Sequence, residues 1–137
     1  MTFFSPTLFY FYTMNMKDIA TREDLLFLMQ QFYDKLLSDD EINFFFTKIT
    51  DTDQHLSHHF EVLATFWEQS LFMKGGYTNN MFQIHKEVHQ KKSFTKAHFD
   101  IWLHHFYATI DAHFKGKIAE QMKTNALSMA TVMQIKL

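Results

Sequence analysis

From Thr21 onward the apolar residues recur at intervals of three and four, the spacing of one face of an α-helix. Thr21 followed by Asp24 is a capping-box-like start. Leu25, Leu28, Met29, Phe32 and Leu36 then form a single stripe, which Ser38-Asp39-Asp40 ends. A short helical turn is expected over 41–46, closing on three consecutive Phe. A second long helix is expected over 53–73, with Leu56, Phe60, Leu63, Trp67 and Leu71 on one face and Gly75-Gly76 as its stop. A shorter helix follows over 81–88. Thr95 opens another, whose stripe is Phe99, Trp102, Phe106, Ile110 and Phe114, and Gly116 is expected to close it. The last helix is expected over 117–135 through Ile118, Met122, Ala126, Met129 and Met133. No stretch alternates with period two, and no fixed repeat is present. The pattern predicts an all-α domain over 16–137, with four substantial helices and two shorter ones.

Residues 1–15, MTFFSPTLFYFYTMN, stand apart: they carry no charge and six aromatic rings. Lacking a basic start and a small-residue cleavage site, the segment does not read as a signal peptide. It is also too short, and too interrupted by Ser, Pro and Thr, for a membrane span. The expectation is an accessory or disordered extension, or a misassigned start with Met14 or Met16 as the initiator.

Composition narrows the chemistry. Gly is 3 and Pro is 1, which leaves little for a turn-rich β fold or a phosphate-binding glycine loop. Cysteine is absent, so disulfides, thiolate-held clusters, covalent haem attachment through Cys and thiol nucleophiles are excluded. The formal net charge is -2 with no basic stripe, which argues against a nucleic-acid partner. The 17 Phe and 9 Met either fill a bulky core or line a pocket for a flat apolar ligand.

Nine histidines are many for 137 residues, so any metal chemistry rests on His, carboxylate or Tyr. His85 and His89 lie four apart and share a helix face, as do His55 and His59. In H-K-E-V-H the Glu follows the first His by two residues, so it is not the metalloprotease motif. Tyr33 joins the apolar face of the first helix next to Phe32; a buried phenol there needs a partner. His104, His105 and His113 read as surface or hydrogen-bonded structural residues.

The order of these residues carries more than any one of them. Arg22-Glu23-Asp24 is followed by Phe32-Tyr33 and Phe45-Phe46, then by His59 with Phe66-Trp67. His85 comes after Asn80, and His98-Phe99 precedes Trp102-Leu103 and Thr109-Ile110-Asp111. Over 16–137 this series resembles the truncated haemoglobins, group III. The resemblance implies a shortened globin, a two-over-two helical sandwich around non-covalent haem b. It implies His85 as the proximal iron ligand and Tyr33 as the distal Tyr, with Phe46 packed on the haem face. It further implies His59 and Trp67 on the distal helix, Leu63 one turn after His59, and Trp102 as the distal-pocket Trp. Its ligand would be a diatomic gas (oxygen, nitric oxide or carbon monoxide), with room for an unidentified reductase as partner, and the lack of cysteine fits a cytoplasmic location.

The sequence departs from that pattern in places. Phe60-Glu61 follows His59, and Met81 follows Asn80, where many members have Pro. Ile101 stands where many have Arg, which passes a cation for a haem propionate to Lys91, Lys92 or His98. His89 is the rival of His85 as iron ligand. Two other readings remain open on the residues alone: a non-haem helical interaction module, and a zinc or iron protein using both His85 and His89.

Overall fold

In the computed structural model, which describes residues 16–137, the chain is helical with no strand among the described residues. The expectation for residues 1–15 lies outside them. Helix α1 is Arg22–Leu37, and its start is a true capping box. Thr21 Oγ1 accepts from the Asp24 N–H at 3.1 Å, and Asp24 Oδ2 accepts from the Thr21 N–H at 3.0 Å. Two otherwise orphaned donors are thereby satisfied. Its stripe of Leu25, Leu28, Met29, Phe32 and Leu36 is buried as the spacing predicts, and Tyr33 is buried with it.

The segment after α1 differs from expectation. Instead of a helix over 41–46, the chain makes a wide π-type turn at Phe45–Ile49. Thr50 secures it: its N–H and its hydroxyl both donate to the Phe45 carbonyl, at 3.2 and 2.7 Å. A short 3₁₀ turn, Thr52–Gln54, then leads into α2, Leu56–Phe72. Helix α2 ends before the glycine pair, because Met73 itself takes the left-handed conformation with φ 60°. Helix α3, Met81–Lys91, runs three residues past its expected end. The Asn80 side chain caps it, accepting from the Gln83 N–H at 3.0 Å. Helix α4, Lys96–His113, starts on Thr95, and α5 is Lys117–Lys136. Gly116 does not close α4. It has φ +150° and sits as the cap that opens α5.

Two helices lie over two. Helix α1 packs on α2 and on α4, α4 packs on α5, and α2 touches α5. Leu25, Leu28, Phe106, Ile110 and Met122 meet at the centre, each essentially inaccessible. Burying each Leu, Ile, Phe or Met side chain contributes about 1.5–3 kcal/mol. Ala119, Ala126 and Ala130 line the buried side of α5 and let its backbone approach closely. Arg22 ties α1 to α2, donating to Glu61 Oε2 at 2.6 Å, to the Glu61 carbonyl at 3.0 Å and to Glu68. Helix α3 is the exception. None of its side chains is fully buried, and it packs beside the wide turn at the margin of the sandwich. No helix of the described residues is long and apolar enough to cross a membrane.

Candidate functional site

Between the helix pairs and α3 lies a cavity whose walls are mainly aromatic, aliphatic and thioether side chains. No Asp, Glu, Lys or Arg lines it among the described residues. All seven residues singled out from the sequence reach this one space. Tyr33 comes from α1, Phe46 from the wide turn, and His59, Leu63 and Trp67 from α2. His85 comes from α3 and Trp102 from α4. The α2 set follows from helical geometry: His59, Leu63 and Trp67 stand at successive intervals of four and share one face.

His85 is held by the main chain. Its Nδ1 lies 2.8 Å from the Met81 carbonyl one turn earlier. A carbonyl only accepts, so Nδ1 carries the proton and donates. The neutral ring therefore presents the lone pair of Nε2, the arrangement a metal-binding imidazole requires. Burial lowers the pKa of His85, opposed in part by the bond to Met81. His89 has the reverse tautomer. The Phe94 N–H donates to its Nδ1 at 3.0 Å, so its neutral ring carries the proton on Nε2. Its ring stacks on Phe94 and is not part of the cavity wall.

Tyr33 and His59 are joined across α1 and α2. Tyr33 Oη and His59 Nε2 share a hydrogen bond of 2.7 Å. Burial raises the pKa of the Tyr33 phenol. Burial, with His58 and His85 nearby, pushes the His59 pKa down to about 4 from 6.5, so the ring is neutral at pH 7. Phe46 and Phe60 pack edge-on against the Tyr33 ring, each with centroids 5.4 Å away, and keep it from turning.

Of the cations considered for the cavity rim, only His98 lies in the wall. Its Nδ1 accepts from the Thr95 N–H at 3.0 Å, which leaves Nε2 as a donor in the neutral ring. His105, read as structural, bonds Asp39 at 2.6 Å and holds that carboxylate below the usual range. No group of three or more His, Asp or Glu side chains that could hold a metal ion exists among the described residues.

Sequence reasoning missed three contributors. Phe94 packs between Phe45, with centroids 4.7 Å apart, and the two α3 imidazoles. It sits in a loop, where helical periodicity gives no signal. Thr50 and Thr52, bonded to each other at 2.8 Å, also line the cavity. Only the wide turn brings them there.

The chain thus forms an all-helical sandwich around a mainly aromatic pocket with the His85 ring in its wall. Comparison with known proteins is specific about the fold. No family model matches the sequence, and no curated protein matches it. Among solved structures, the group III truncated haemoglobin from Campylobacter jejuni is similar with a TM-score of 0.77 and 23% sequence identity. The match covers 89% of this chain and 95% of that one. The chain therefore has the truncated-haemoglobin fold.

Proposed function

We propose that the protein binds haem b through His85 and takes up a diatomic ligand in a pocket governed by Tyr33, His59 and Trp102. The observation that carries this reading is the fixed tautomer of His85, whose Nδ1 is engaged by the Met81 carbonyl and whose Nε2 is left as a free donor atom in an apolar cavity. The residues fit the group: flat apolar walls, one neutral imidazole, and a small polar cluster set by different helices. Haem would supply an iron with one coordination position open to a small ligand.

The rest is work for the chain. His85 would hold the group through Nε2 and, being neutral, would add no charge to it. Phe46 packs against Tyr33 and sets where the phenol points. The Trp102 indole N–H donates only, so it stabilises partial negative charge on a ligand atom in reach. Tyr33 and His59 share one proton between Oη and Nε2. A ligand needing that proton must compete with the existing bond, so the pair acts as a latch as well as a donor. The mainly apolar walls around the polar cluster lower the local dielectric and strengthen its hydrogen bonds. The ligand is oxygen, nitric oxide or carbon monoxide, and a reductase would be needed for any turnover.

An absorption spectrum of the purified chain with added haem tests this, recorded oxidised, reduced, and reduced with carbon monoxide. A stoichiometric Soret band that shifts at each step is expected. A folded helical chain with no specific band overturns the reading and leaves a helical module with an aromatic core.

A further inference from the structure

The chain has 2 tryptophans, and both belong to one stack that runs along the cavity wall and ends outside it at Tyr77. Trp102 and Phe106 lie face to face, centroids 5.0 Å apart and planes 7° apart. Phe106 stacks in turn on Trp67 at 5.4 Å and 25°. Trp67 meets Phe66 edge-on at 5.2 Å, and Phe66 meets Tyr77 edge-on at 5.2 Å. Trp102, Phe106, Trp67 and Phe66 all belong to the cavity wall, and Tyr77, half-buried in the loop between α2 and α3, lies outside it.

We propose that Trp102, Trp67 and Tyr77 form a charge relay that carries an oxidising equivalent from the cavity to the protein surface. Electron tunnelling falls off steeply with distance, so transfer across several ring widths needs intermediate stations that can be oxidised. With no cysteine present, Trp and Tyr are the residues most readily oxidised by one electron. Phe106 and Phe66 hold no charge at such potentials, but as π-systems in contact on both sides they bridge the stations.

The step balances with a small radical oxidant entering the cavity. The oxidant takes one electron from Trp102 and becomes its anion, leaving the indole as a radical cation that keeps its N–H proton. An electron passes from Trp67 to Trp102, and then from Tyr77 to Trp67. Each Trp regains its electron, and its proton never leaves. Tyr77 ends as a neutral phenoxyl radical, and its proton goes to water. The surface phenoxyl can then be quenched by a reductant too large to enter the cavity. A side branch leads from Trp102 to Phe32 at 5.4 Å and from Phe32 to Tyr33 at 5.6 Å, back at the cavity. Tyr33 is the rival end point. The relay needs no cofactor, so its failure and that of the haem reading are separate events.

The test exposes the full-length purified chain to azidyl radicals in the presence of a nitroso spin trap. Peptide mapping by mass spectrometry then locates the tyrosine adducts. An adduct on Tyr77 is expected, falling several-fold in Trp67→Phe and restored in Trp67→Tyr, which returns an oxidisable station. The adduct on Tyr107, which lies off the stack, should not change. Phe66→Leu keeps both tryptophans and should lower the Tyr77 adduct too, with circular dichroism confirming the fold of each variant. A Tyr77 adduct that is absent from the native chain, or undiminished by Trp67→Phe and Phe66→Leu, overturns the relay. Adducts confined to Tyr33 also overturn it, since the charge then stays in the cavity.

Discussion

The Asp18 carboxylate closes the N-terminus of α5 and occupies the space that a side chain at Gly116 would need. Asp18 accepts from the Ile118 N–H and the Ala119 N–H, each at 2.9 Å. Gly116, the formal cap, has no side chain to do this, and a Cβ there would stand 2.3 Å from Asp18 Cγ. Asp18→Ala is expected to cost about 0.5–2 kcal/mol, the range of a lost helix cap. Gly116→Ala should cost more, because it displaces the cap and strains a backbone at φ +150°. Urea unfolding followed by circular dichroism measures both. A Gly116→Ala variant as stable as the native chain would contradict this packing.

The two α3 imidazoles differ in tautomer, and substitution should separate them. His85→Ala is expected to abolish stable haem binding. His89→Ala should retain it with a modest loss of stability, since the Phe94 N–H loses its acceptor. Haem titration followed at the Soret band reads both. Normal haem content in His85→Ala would move the ligand assignment to His89.

Loss of the Tyr33 hydroxyl should show in ligand kinetics. Tyr33→Phe removes one donor from the pocket, and oxygen dissociation should accelerate on the order of tenfold if that bond is worth about 1.4 kcal/mol. The same substitution unlatches His59, so ligand association should also change. Flash photolysis and stopped-flow mixing give the two rates. An unchanged dissociation rate would remove Tyr33 from the distal network.

Acid should destabilise the fold through His59. Its folded pKa is about 4 against an ordinary 6.5, so below 6.5 the unfolded chain binds the proton more readily. The stability His59 contributes by being neutral is fully present above about pH 6.5 and is lost as pH falls towards about 4. With its partial exposure allowed for, this amounts to on the order of 2 kcal/mol. Urea midpoints at several pH values, compared with His59→Leu, isolate the effect. The variant should show a flatter acid limb, and identical pH profiles would rule the contribution out.

The helices were legible because their stripes answer to a local rule. Leu25, Leu28, Met29, Phe32 and Leu36 repeat at helical spacing, and all are buried. The errors fall where something other than the apolar stripe decides. Gly116 reads locally as a helix stop, yet its role comes from Asp18 at the other end of the chain. Met73 carries no turn signature, and it takes the left-handed conformation that the glycine pair was expected to supply. The wide turn at Phe45–Ile49 is fixed by Thr50 bonding back to a carbonyl, which no hydrophobic pattern announces. The site was legible as a set of side chains in order. The proton positions on its imidazoles were not, because main-chain atoms fix them.

That last feature bears on how such a site persists as sequences diverge. The carbonyl of residue 81 aims His85, and the N–H of residue 94 restrains His89. Neither depends on the identity of the side chain at its own position, apart from proline at 94. A substitution at 81 therefore leaves the bond that aims His85 in place, whereas one at 94 also removes the ring that packs on both imidazoles. The proton on His85 is thus placed by the backbone of its own helix, independently of the side chain one turn earlier.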